Sequence, residues 1–155
     1  MFAFLLSVHV LCAIVGVGPT FAFAFLGIMS EKNPAAARAL QQTVLLISTR
    51  LVIPLVLILG ITGVLLIRNQ HLDLSDNPWL GASIVLYLLV LGVSLFYQVP
   101  NERKVIALLP DGGGPPSDVP TLKKLVMGQR VVGIAMGLSV LVIAVLMVWK
   151  PGTRI

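Results

Sequence analysis

Two histidines and two arginines are the residues whose type and position could do chemistry. His9 lies in a stretch, Met1 to Ser30, that carries no charged side chain. An ionisable group inside an apolar membrane segment marks a functional position by default. Neutral imidazole is also a good ligand for haem iron. Gly16 follows two turns further along the same face, with Gly18 close by. Bare backbone there lets a flat macrocycle, or a second helix, approach closely. The structural alternative is a histidine hydrogen-bonded to a neighbouring helix, with glycines that serve packing. A six-coordinate haem needs a second axial ligand, and His71 is the other histidine. A loop position is unusual for a bundle site, where ligands come from facing helices. Met136 and Met147 are alternatives, although methionine is common core filler. His71, Asp73 and Asp76 match no strong metal motif and read better as a solvated loop. No metal-ion site is expected.

Arg50 and Arg130 sit near one end of two apolar stretches. Two guanidinium groups at matching depth could clamp an anion: a propionate, a carboxylate or a phosphate headgroup. The alternatives are snorkelling to the interface or pairing with Glu31 and Glu102. Gln98 and Asn101 offer neutral hydrogen bonds nearby. No Ser/His/Asp set or carboxylate dyad falls within the apolar stretches. Hydrolytic chemistry is therefore poorly supported, and whether the chain is an enzyme stays open.

The elements that must position these residues follow from composition. The 155 residues are 57% hydrophobic and 11% charged, against about 25% charged in soluble domains. A water-soluble globule, a disordered chain and a coiled coil are all excluded. Cys12 is the lone cysteine, so no internal disulfide forms. A spanning helix needs about 20 mostly apolar residues, and four stretches qualify, approximately 2–29, 43–67, 78–99 and 124–149. The first lacks a positive leader and is too long for a signal peptide, so a retained helix is expected. The expected fold is all-α: a single integral membrane bundle of four transmembrane helices, with both termini outside. Asn33-Pro34 and Asn77-Pro78 each place a capping residue before a proline at a helix start. A short amphipathic helix from Asn33 should run into the second span. Asp118 or Thr121 can cap the fourth. Pro19 and Pro54 should kink their helices. Gly133 and Gly137 form a G-x-x-x-G that favours close helix packing. Phe21, Phe23 and Phe25 read as lipid-facing or packing residues. The segment 105–119, with Asp111-Gly112-Gly113-Gly114-Pro115-Pro116, reads as a flexible loop. No strand leads into it to make a phosphate cradle.

The net charge of +5 has no Lys/Arg run suited to nucleic acid, so no nucleic-acid partner is expected. It records a positive-inside bias instead. Lys32, Arg38, Arg50, Arg103, Lys104, Lys123, Lys124 and Arg130 fall on the side of the first and third loops. Only Arg68, Lys150 and Arg154 fall on the other. The first and third loops should therefore be cytoplasmic in a cell-membrane protein. Trp79 and Trp149 would then share the outer interface. His9 and the Arg50/Arg130 pair lie in opposite leaflets. A haem at His9 would point its propionates toward Arg68, Lys150 or Arg154.

The first span reads His9-Val-Leu-Cys-Ala-Ile-Val-Gly16-Val-Gly18-Pro19, the second span bears Arg50, and the third exits through Pro100-Asn-Glu-Arg103. In these features and in length the chain resembles the bacterial integral-membrane family called domain of unknown function 2269. More distantly it resembles the copper-resistance D membrane proteins and the small four-helix protoporphyrinogen oxidases. In those oxidases an early histidine ligates haem b, a role the resemblance carries over to His9 alone. The tryptophan that such relatives often place before the glycine pair is absent here, and no span holds a lysine as second ligand. The resulting expectation is a small bacterial inner-membrane protein that binds haem b or a porphyrin for a redox role. One alternative is a non-catalytic subunit or scaffold packing against membrane partners or copies of itself. Another is a small-solute or ion transporter built as an oligomer.

Overall fold

The computed structural model describes residues 2–70, 74 and 77–149, and is all-helical. The helices are α1 (Phe2–Lys32), α2 (Pro34–Ile47), α3 (Ile53–Asn69), α4 (Pro78–Val93), α5 (Val99–Leu108) and α6 (Val119–Trp149). A π-helical turn, Ser48–Val52, joins α2 to α3, and a second, Ser94–Gln98, joins α4 to α5. Four continuous rods result, Phe2–Lys32, Pro34–Asn69, Pro78–Leu108 and Val119–Trp149. Each is long and apolar enough to cross a membrane. A rod of 31 residues is roughly 46 Å long at 1.5 Å per residue, against a hydrocarbon core of about 30 Å. The excess lies largely in the polar first half of the second rod and last third of the third.

Proline explains the widened turns. A proline inside a helix lacks an N–H, and its ring collides with the carbonyl four residues earlier. Pro54 and Pro100 each follow a turn that opens by one residue, with Ile53 N–H bonded to Ser48 O and Val99 N–H to Ser94 O. The expected break at Pro54 therefore takes the form of a π turn, and Pro100 makes another that sequence reading did not anticipate. Both lie six residues after a serine.

The rods pair as two hairpins. α1 packs along α3 and α2, while α4 packs along α6. The hairpins meet chiefly through α2 and α5, where Ala37, Val105 and Ile106 are buried. This end carries most of the cations and is called the basic end. The opposite one is the termini end. α6 buries no residue, as expected where lipid replaces water around an apolar helix.

Several local expectations change. Asn33 makes no side-chain cap; Pro34 removes one of the donors a cap would satisfy. The Asn77 carboxamide oxygen accepts the Trp79 indole N–H at 3.3 Å. Trp79 is accordingly buried rather than displayed to an interface, whereas Trp149 is exposed. Asp118 does cap α6, accepting the Thr121 N–H at 3.1 Å, and bonds from Thr121 hold its carboxyl below the usual carboxylate range. Within 105–119, the residues through Leu108 belong to α5. The remainder is docked on α2: Arg38 meets Asp111 at 3.1 Å and donates to Leu109 O at 2.9 Å. Gly113, at φ +84°, lies so close that a Cβ there would sit 2.7 Å from the Ala35 Cα.

Candidate functional site

The sequence-selected residues fall into two separate places. In the termini half, α1 turns His9 toward α3. Its Nδ1 lies 3.0 Å from the Thr62 hydroxyl. That hydroxyl lies 2.9 Å from Ile58 O and 3.0 Å from Leu59 O, one turn back along α3. Its single hydrogen goes to those carbonyls, so its oxygen accepts from His9. The network assigns the proton to Nδ1 and leaves the lone pair on Nε2. Gly63, the next residue, makes room for the ring: a Cβ there would meet His9 Cε1 at 3.3 Å. The buried thiol of Cys12 lies one turn further along α1.

The two glycines of the first span separate. A Cβ at Gly16 would come 2.9 Å from Leu55 Cβ, so α3 occupies the space beside it. Gly18 faces open space. His71, Asp73 and Asp76 lie outside the described residues.

The second place is a polar layer at the basic end, to which all four rods contribute. Arg130 of α6 is ion-paired with Glu31 of α1. Arg50 is exposed on the first π turn, and among the described residues no acid pairs with it. Gln41 of α2 donates to Ser30 of α1 at 3.4 Å. Gln129 of α6 donates to Glu102 Oε2 of α5 at 2.7 Å. Glu102 and Asn101 are buried. The other oxygen of Glu102 and the amide oxygen of Gln98 are buried with no hydrogen-bond partner. A cleft of about 210 Å³ adjoins the layer, lined in part by Ser30, Glu31, Gln41, Val105 and Val126.

Thus the two glutamates considered as neutralisers of the arginines divide. Glu31 takes Arg130, and Glu102 takes an amide. The signal for the Glu102 cluster was present as spacing: Gln98, Asn101, Glu102 and Val105 follow the i, i+3, i+4, i+7 pattern of one helical face.

Glycines also bring the rods together. Gly60 of α3 accommodates the Tyr87 hydroxyl, which donates to Val56 O at 2.9 Å. Gly128 and Gly133 of α6 lie against Tyr97 and Gln98 of the second π turn. Gly137, the second glycine of the G-x-x-x-G, faces open space.

Comparison with known proteins agrees with this architecture. Residues 3–151 match the family described as "Predicted integral membrane protein (DUF2269)". No curated protein and no solved structure matches the chain. Four apolar rods and a family match across nearly the whole sequence lead to one conclusion: this chain is an integral membrane protein of the family called domain of unknown function 2269.

Proposed function

We propose that the protein binds haem b or a porphyrin within the membrane, with His9 as the iron ligand. The observation that carries this reading is the His9–Thr62 contact. A metal-ligating histidine characteristically donates its other ring N–H to a fixed acceptor, which sets tautomer and orientation. His9 is held in that way, with Nδ1 on Thr62 and its Nε2 lone pair uncommitted to that bond. His9 and Thr62 supply a ligand and its orienting partner for a single-histidine site, whereas Leu55 fills the space at Gly16 that a macrocycle could have used. His9 would hold the iron, Thr62 would orient the imidazole, and Gly63 leaves space for the ring. Haem, when bound, supplies one-electron exchange. The chain supplies the ligand, its orientation and apolar surroundings that exclude water. The excess of Lys and Arg at the basic end supports a plasma-membrane placement with that end cytoplasmic and both termini outside.

The test is an absorption spectrum of the detergent-purified protein, oxidised and then reduced, after expression with haem precursor supplied. A Soret band that sharpens on reduction and is lost in His9→Ala is the expected result. A colourless, well-folded protein obtained with haem available overturns the reading.

One observation favours a second reading, a scaffold that packs against a partner helix. α6 buries no residue, and Gly137 faces open space. A scaffold co-purifies with a stoichiometric partner, loses it in Gly137→Leu, and keeps it in His9→Ala.

A further inference from the structure

The His9 site makes no use of the buried carboxyl at the basic end. Glu102 is 9% exposed, and one of its oxygens accepts from Gln129 at 2.7 Å. Its other oxygen, Oε1, has no donor, and neither does Oε1 of Gln98. Residues 98 and 102 stand four apart on a helical face, so their side chains are neighbours. Two orphaned acceptors one turn apart on the same helical face would both be satisfied by a hydrogen shared between them. Buried acceptors are costly to leave unpaired, and a buried carboxylate without a cation is costlier still.

We propose that Glu102, with Gln98 and Gln129, forms a proton-binding site in which Glu102 Oε1 carries the proton and donates it to Gln98 Oε1. The incoming proton bonds to a carboxylate oxygen and cancels its charge. It comes from water and returns to water, and no other bond changes. Gln129 serves the remaining oxygen in either state.

The charged groups on the elements around Glu102 are engaged elsewhere or turned outward. On α6, Arg130 is taken by Glu31, and Lys123 and Lys124 are exposed. On α2, Arg38 is taken by Asp111 and Leu109 O. On α5 itself, Arg103 and Lys104 are exposed, and Asn101 is buried but neutral. The second π turn, Ser94–Gln98, contributes no charged residue. Among the described residues, then, no cation is paired with this carboxyl, and a proton satisfies both orphaned oxygens at once.

Infrared spectroscopy of the full-length protein in lipid nanodiscs tests this directly. The chain holds two glutamates, Glu31 and Glu102. Glutamate labelled with ¹³C, read as the difference between wild type and Glu102→Gln, therefore reports Glu102 and keeps Arg130 paired with Glu31. The expected result is the carbonyl stretch of a protonated acid at neutral pH, converting to a carboxylate band as pH is raised. In Gln98→Leu the acid band should move to higher frequency, because its hydrogen-bond acceptor is gone. A parallel Glu102→Gln variant, whose neutral amide imitates the protonated acid, should keep the wild-type melting temperature. A fully ionised carboxylate at neutral pH overturns the proposal. So does a carboxylate band accompanied by sodium-dependent stabilisation that Glu102→Gln abolishes, which would make the site a metal-cation site.

Discussion

His9 draws its meaning from Thr62, a residue 53 positions away. The histidine was legible in the sequence because its type is conspicuous in a stretch without charge. Thr62 and Gly63 were not, because a threonine and a glycine in an apolar helix are ordinary until a facing helix gives them a partner. The same holds in part for Glu102, whose neighbour Gln98 was visible as spacing but whose amide donor Gln129, on a facing helix, was not. The threonine can be tested apart from the histidine. Thr62→Val keeps the side-chain shape but removes the acceptor that orients the imidazole. Loss of such an outer-shell partner typically costs about 10- to 100-fold in metal affinity. Under the haem reading proposed above, haem titration of the purified protein should show a weakening of that order in Thr62→Val. Unchanged affinity would mean that the contact does not orient a ligand. Gly60 offers a test of packing at the same scale. A methyl group there would come 2.3 Å from the Tyr87 hydroxyl, which must then leave Val56 O. A lost hydrogen bond of this kind costs about 0.5–1.5 kcal/mol. Gly60→Ala should lower the melting temperature, and adding Tyr87→Phe should recover part of the loss, because the clashing oxygen is gone. Gly137→Ala, with open space around it, should show no comparable drop.

At the scale of elements, the four spans were plain in the hydropathy pattern, and the run of α2 into α3 was anticipated from Asn33-Pro34. The π turns were not. A proline inside an apolar stretch announces that the helical bonding must change, but not whether the chain kinks or widens. That choice depends on the register in which flanking turns pack, and packing is a tertiary quantity. The contacts of the glycine-rich third loop were hidden from sequence for a related reason. Its composition reads as flexible, yet Arg38, 73 residues before Asp111 in the chain, reaches over to hold it. The Arg38–Asp111 ion pair is largely solvent-exposed on the aspartate side, and such pairs contribute about 0–1 kcal/mol. Gly113 constrains the loop more severely, since a side chain there combines a left-handed φ with a collision against the α2 backbone. Limited proteolysis of the loop should therefore speed up modestly in Asp111→Ala and much more in Gly113→Ala. Equal rates in wild type and Gly113→Ala would show that the loop is not held on α2.

At the scale of the whole molecule, two hairpins meet most closely at the basic end, and the polar layer lies where they meet. The distribution of cations gives this arrangement a direction. Positively charged loops are retained in the cytoplasm, and the bias counts short loops like these. Under the proposed orientation, drawn from eight Lys and Arg residues on the side of the first and third loops against three on the other, Ser117 faces the cytoplasm and Gln70 the outside. Both side chains are exposed, and the lone cysteine, Cys12, is buried, so single reporter cysteines can be introduced in a Cys12→Ser background. A membrane-impermeant maleimide added to intact cells should label the Gln70→Cys variant and leave Ser117→Cys unlabelled until the membrane is opened. The inverse pattern would turn the molecule over. It would place the termini and the His9 half toward the cytoplasm, and Glu102 would then exchange its proton with the outer face. Labelling thus decides which compartment each site faces, because the rods hold His9 and Glu102 in opposite halves of the bundle.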